Sequence, residues 1–142
     1  MQDKTADLDA IFGESIAFIH AYTRAQAIAD GVLVDVTETA REAGFRLPVA
    51  ITSTAWAKTV EWSEVDSVRQ TPQDEAGRLW DVVWMSYVTA RRVNVGCRVT
   101  VQLHVVPRGG TGTRPRLTTL SMVIGPGDDG EPVITLMNPD ED

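Results

Sequence analysis

The sequence is poor in the residues that most metal, redox and hydrolytic sites need. It has one cysteine, Cys97, and two histidines, His20 and His104. A single cysteine excludes a disulfide within the chain, and no cysteine and histidine group has the spacing of a zinc site. The G-x-S-x-G motif that would host a hydrolase serine is also missing. We therefore predict no catalytic residue, no metal site and no cofactor.

Long apolar runs are missing too. No stretch approaches the roughly 18 apolar residues of a membrane-spanning helix. Residues 1–7 are polar and acidic, and they lack the basic start and apolar run of a signal peptide. We expect a cytoplasmic protein with no membrane partner. A length of 142 residues fits a single domain over 1–142, with frayed termini at 1–10 and 139–142.

Capping residues and turn signals predict short helices in the N-terminal half. Thr23 and Gln26 have the spacing of a capping box ahead of a helix at 24–29, and Asp30 and Gly31 end it. The short elements predicted next are a strand at 32–36, a helix at 38–43, an extended segment at 45–52 and a helix at 53–62.

The longest predicted helix covers about residues 78–92. Two adjacent apolar stripes occupy much of its circumference, so we expect this helix to be central. All of the tryptophans fall in predicted helices, where core packing is their ordinary role: Trp56, Trp62, Trp80 and Trp84. An exposed one would indicate a protein interface, because tryptophan is enriched at binding hot spots.

The last third of the chain predicts a sheet. Residues 97–105 alternate polar and apolar, which is typical of a strand with one buried face. Strands at 116–124 and 132–137 follow, separated by turns rich in glycine and proline. Together they predict an antiparallel β-meander of at least three strands. Because helices come early and strands late, we assign the fold to the α+β class.

The polar side of the first meander strand is one candidate binding surface. Arg98, Thr100, Gln102 and His104 alternate along it and would share one face of the sheet. Cys97 falls on the apolar side of the same strand, and we expect it to be buried and inert.

The charge is distributed unevenly along the chain. The net charge is −7, yet residues 82–127 hold no carboxylate and carry +6, while the remainder carries −13. Arg108, Arg114 and Arg116 of this window lie in or beside a glycine-rich loop, which predicts a flexible basic hairpin tip. A positive surface of this kind fits phosphate or an acidic partner, although an ordinary solvated hairpin has the same composition. The acidity of the whole chain weakens nucleic-acid binding.

Three segments, residues 22–36, 77–82 and 125–134, resemble an uncharacterised family of small proteins carried on bacterial plasmids, integrative elements and phages. The resemblance spans roughly residues 18–138. It implies an origin in a bacterial mobile element, and it brings no activity and no catalytic residues.

A second likeness concerns the N-terminal half. A short helix, the residues Gly31, Val32 and Leu33, and a strand leading to Ser53 are similar in layout to the NAD-binding half of ADP-ribosyltransferases. This likeness implies that Arg24 or His20, together with Ser53, would hold the nicotinamide ribose. That family also needs a glutamate on a later strand, where residues 82–127 offer no carboxylate, so the implied domain is a degenerate one.

Three hypotheses follow for the function. The first is a non-enzymatic, macromolecule-binding accessory protein of a mobile element, which could act as an inhibitor of a host defence system. A protein partner is favoured, and the β-strand row and basic loop would be its contacts. The alternatives are the NAD-binding domain and a nucleic-acid-binding module using the Arg-rich hairpin. The sequence leaves the partner's identity and the oligomeric state open.

Overall fold

The computed structural model describes residues 22–93 and 96–141. The predicted site residue His20 and the predicted frayed terminus at 1–10 lie outside the described residues. The elements in chain order are α1 (Arg24–Ala29), β1 (Leu33–Asp35), α2 (Thr37–Ala43), β2 (Val49–Thr52), α3 (Ser53–Thr59), α4 (Glu64–Arg69), α5 (Glu75–Arg92), β3 (Arg98–Val105), β4 (Arg116–Pro126) and β5 (Pro132–Met137). The α+β class, with short early helices, a central helix and late strands, is confirmed.

The strands form one five-stranded sheet in the order β1-β2-β5-β4-β3. The predicted meander is confirmed, because β3 pairs antiparallel with β4 and β4 pairs antiparallel with β5. The short early strands extend the same sheet, since β2 runs parallel to β5 and β1 runs antiparallel to β2. β3 therefore ends the sheet, and no strand in the described part of the chain pairs with its outer edge.

The core lies between one face of this sheet and the helices. Residues of β3 alternate strictly between exposed and buried, as a strand with one covered face requires. Ile51 and Leu120 from the inner strands meet Val82 and Val83 from α5, and all four are fully buried. Each such side chain contributes about 1.5–3 kcal/mol relative to an exposed one.

Helix α5 is the main cover of this face. It begins at Asp74, whose carboxylate accepts the backbone N–H of Gly77, and Arg91 and Arg92 in its last turn offset the helix dipole. It packs against α2 and against β3, the outermost strand of the sheet. No helix in the described ranges is both long and apolar enough to cross a bilayer.

Two expectations about single residues are wrong. Cys97 is exposed rather than buried, because it lies one residue before β3, whose buried positions begin only at Val99. Trp62 is buried but lies outside a helix, since α3 ends at Thr59. Helix α4 was not among the predicted elements, although Ser63 and Asp66 begin it with a capping box.

Candidate functional site

An aromatic row runs along one side of α5. Trp80, Trp84, Tyr87 and Arg91 follow at intervals of three or four residues, so they lie on one face of the helix. The rings of Trp80 and Trp84 stack with centroids 5.9 Å apart and an interplanar angle of 12°. Trp80 is 37% exposed and Trp84 is 42% exposed. These two tryptophans therefore form part of the surface, and the expectation that they fill the core is wrong.

The far end of the aromatic row is held in place by its neighbours. The Tyr87 ring lies 5.9 Å from that of Trp84 and meets Phe45 edge-on at 5.4 Å. Arg91 donates a hydrogen bond to the Tyr87 hydroxyl, and its guanidinium lies 5.8 Å from the same ring. Side chains that are already ordered lose little conformational entropy when a partner covers them.

Beside this row, the outer backbone edge of β3 pairs with no other strand of residues 22–93 and 96–141. The N–H of Ile124 donates to the carbonyl of Cys97, so these two residues form a hydrogen-bonded pair. Hydrogen-bonded and non-hydrogen-bonded pairs alternate along an antiparallel ladder. The odd-numbered residues of β3 therefore bond to β4, and the N–H and C=O groups of Thr100, Gln102 and His104 point away from the sheet.

A cleft of about 420 Å³ opens between α5 and the β3 edge. Its lining residues are Asp81, Trp84, Met85, Gln102, Leu103, His104 and Leu117. Leu117 lies opposite His104 in the β3–β4 ladder and is 58% exposed. The cleft thus joins the aromatic row to the predicted polar row, and Asp81 is the one carboxylate in its lining.

The structure brings the predicted polar row together on one exposed face of β3. Thr100, Gln102 and His104 make no side-chain hydrogen bond to any other described residue. Arg98 is different, because its guanidinium donates to the backbone carbonyls of Pro139 and Glu141. Three members of the row therefore remain free to contact a partner.

The predicted basic loop is fastened at one end. Arg108 forms ion pairs with Glu61 and Asp66, each at 2.6 Å. The hydrogen bond from Arg108 is the largest cause that lowers the pKa of Asp66, and the same contact raises the pKa of Arg108. Gln70 also bonds the loop backbone at three points. Arg108 is thus a structural anchor, and the loop is held against α4.

The other end of the loop is open. Arg114 and Arg116 form no ion pair within the described ranges, and both line a depression of about 460 Å³. Of the three arginines predicted in or beside this loop, these two keep their guanidinium groups free of described partners.

Of the predicted nucleotide site, the structure describes Arg24 and Ser53, and these two residues do not line the same pocket. Arg24 donates to Thr135 Oγ1 at 2.8 Å and to the Ile134 carbonyl at 2.7 Å. Burial lowers the pKa of its guanidinium, and nearby carboxylates including Asp128 oppose that shift. A shallow pocket of about 200 Å³ beside Arg24 does not include Ser53, which is exposed at the start of α3.

Asp128 also has a structural contact near Arg24. Its carboxylate accepts the backbone N–H groups of Arg24 and Ala25, and so it caps the start of α1 from a distant turn. The Asp128 carboxylate is therefore engaged in holding α1 in place. Across residues 22–93 and 96–141, no group of three histidine, cysteine or acidic side chains could hold a metal ion.

Comparison with known proteins adds the family and little else. No curated protein and no solved structure matches the chain. The model of a family of unknown function, DUF6573, matches residues 9–142, which is nearly the whole chain. The chain therefore belongs to DUF6573, a family whose function is unknown.

Proposed function

We propose that this chain is a non-enzymatic protein-binding accessory protein of a mobile element, with the aromatic row of α5 at the centre of its binding surface. The observation that carries the proposal is the stacked, exposed pair of Trp80 and Trp84. Their exposed parts amount to roughly 80–100 Å² per ring, and burying both would contribute about 4 kcal/mol. The mobile-element origin is supported by the resemblance of residues 22–36, 77–82 and 125–134. Inhibition of a host defence system is one form that such binding could take.

The charges favour a protein partner over a nucleic acid. Arg98 and Arg108 are occupied by carbonyl and carboxylate groups of the same chain. Arg114 and Arg116 remain available, but a net charge of −7 opposes long-range attraction to phosphate backbones. A surface that joins two tryptophans to a polar strand has the composition of a protein interface.

Affinity capture from the native bacterial host tests the proposal. The baits are the wild-type chain, a Trp80→Ala/Trp84→Ala double variant and Val68→Ala. Val68 is 87% exposed on α4 and so controls for loss of an exposed apolar side chain away from the site. We expect one protein set to be captured by the wild type and by Val68→Ala, and to be lost with the double variant. An unchanged set with all three baits contradicts the proposal.

The two alternatives predict different results. A nucleic-acid module predicts nuclease-sensitive material that an Arg114→Glu/Arg116→Glu variant no longer retains at low salt. An NAD-binding domain predicts calorimetric binding of NAD that Arg24→Ala abolishes. Either result would overturn the protein-binding proposal, whereas the contacts of Arg24 with Thr135 and Ile134 lead us to expect no NAD binding.

A further inference from the structure

We infer that the partner binds by β-strand addition: an extended, acidic peptide segment of the partner protein pairs with the free edge of β3 and inserts an apolar side chain into the cleft beside Trp84. The inference rests on the proposed function, because it specifies how the protein-binding surface works. It assigns a chemical class to the partner and a role to the backbone of β3.

The first support is the unprotected edge itself. Natural sheets guard edge strands with lysine, proline, bulges or very short strands. β3 is eight residues long, its pairing with β4 is continuous, and residues 99–105 contain neither lysine nor proline. The outward N–H and C=O groups of Thr100, Gln102 and His104 thus form an open half-ladder. An added strand would complete it with main-chain hydrogen bonds.

The second support is the shape of the cleft. Side chains of an added strand would point alternately to the two faces of the sheet. Those on the helix side would meet a wall made by Trp84, Met85 and Leu103. The volume of about 420 Å³ accommodates a bulky apolar side chain. A peptide that alternates apolar and polar residues therefore suits both the edge and the wall.

The third support is the charge around the cleft. Asp81 is the one carboxylate in the cleft lining, whereas the strands β3 and β4 hold no carboxylate and bear Arg98 and Arg116. Arg98 begins β3, and Arg116 lies opposite Val105 at its other end. Complementary charge favours a peptide with acidic residues and disfavours a basic one.

A second copy of the chain fits this edge poorly. Antiparallel pairing of β3 with its own copy would place both α5 helices on the same face of a continuous sheet. Because α5 packs against β3 itself, such pairing would bring two helices together over one pair of strands. A lone peptide strand brings no helix and avoids this conflict.

Peptide selection on the purified full chain tests the inference. The probe is a phage-displayed library of random peptides, and an enriched peptide is synthesised for calorimetry. We expect enriched sequences that alternate apolar and acidic residues. Gln102→Pro removes an outward N–H without touching the β3–β4 ladder, and should weaken binding by at least about tenfold. Gln102→Ala keeps the outward N–H and removes only the side chain, so it should weaken binding by less than Gln102→Pro does. Val68→Ala, at an exposed position on α4 away from the cleft, should leave the affinity within about threefold.

A second measurement does not depend on the folding of the proline variant. N-methylation of alternate peptide residues should abolish binding to the wild-type chain in one register and leave it intact in the other, because only one set of N–H groups faces β3. Binding that survives both methylation patterns and Gln102→Pro would overturn strand addition, as would a selection that enriches no peptide. Loss of binding in Trp84→Ala but not in Gln102→Pro would refute this mode while leaving the proposed function standing. A dimer that Gln102→Pro converts to monomer would also refute the peptide assignment.

Discussion

Substitution of Gly44 by alanine tests how the aromatic row is anchored to the fold. Gly44 ends α2 with φ of +126°, in the region that side-chain-bearing residues avoid. A Cβ at this position would lie 2.6 Å from Cζ and 2.9 Å from Oη of Tyr87. Because such distances are too short for non-bonded atoms, the Tyr87 ring would have to move. Its contacts with Phe45 and Trp84 would then be disturbed.

The magnitude follows from two costs. The positive φ costs about 1–2 kcal/mol for alanine. Displacing Tyr87 adds about 1–3 kcal/mol, which is typical of overpacking. We therefore expect Gly44→Ala to lower the free energy of unfolding by about 2–5 kcal/mol, and the melting temperature by roughly 6–15 °C for a chain of this length. Gly31 has φ of +79° with nothing within 4 Å of a built Cβ, so Gly31→Ala should show the first cost alone.

Urea denaturation and thermal melting of both variants measure this difference. Combining Gly44→Ala with Tyr87→Leu should recover about 1–3 kcal/mol relative to additive behaviour, because the smaller side chain frees the space. Tryptophan fluorescence should also shift in Gly44→Ala, since Trp84 stacks beside Tyr87. Equal destabilisation by Gly44→Ala and Gly31→Ala would refute the reasoning that the close approach to Tyr87 matters.

Three further predictions concern charged groups. Arg78 is 4% exposed and donates to two backbone carbonyls. Arg78→Ala should therefore lower the free energy of unfolding, measured by urea denaturation, by about 3 kcal/mol. A loss below about 1 kcal/mol would contradict this expectation. The pKa of Asp66 is lowered, first by Arg108, so its contribution is complete above the unfolded-state pKa and is lost as the pH falls through the folded-state pKa. Asp66→Asn should flatten that acid-side loss of stability, and an unchanged pH profile would contradict the assignment. Burial raises the pKa of Glu141, but three hydrogen bonds outweigh it and the net shift is downward. Glu141→Gln should therefore cost about 1 kcal/mol at neutral pH and less in acid, whereas Asp140→Asn, the adjacent control, should have little effect.

The sheet was predictable where local pattern and long-range pairing agree. The alternation in residues 97–105 fixes which side chains of β3 are buried, and glycine-rich turns place the meander partners next to each other. The pairing of β2 with β5 was not predictable, because about eighty residues separate the two strands and nothing local selects the partner. Contacts such as Arg24 with Thr135 depend on that pairing and were hidden for the same reason.

The proposed binding surface was predictable only in part. The polar row of β3 followed from a period of two, but the sequence could not show that β3 is the end strand of the sheet that the described residues form. The exposure of Trp80 and Trp84 could have been predicted from the apolar pattern of α5. A helix packed on one sheet buries one stripe, and α5 has two, so one stripe had to face outward. The stripe with Val82 and Val83 is buried, and the stripe with Trp80 and Trp84 is the exposed one.

The structure also changes the interpretation of the positive charge in residues 82–127. The sequence places six arginines in residues 82–127, yet two carboxylates compensate the charge of Arg108, and backbone carbonyls hold the Arg98 guanidinium in place without compensating its charge. The charge available to a partner is therefore smaller than the sequence total, and it flanks the cleft without filling it. A nucleic acid needs many free cations along its backbone, whereas a strand-forming peptide needs a free backbone edge, an apolar wall and modest complementary charge. The β3 edge and the α5 row supply the second set, and for that reason we propose a peptide-binding surface rather than a phosphate-binding one.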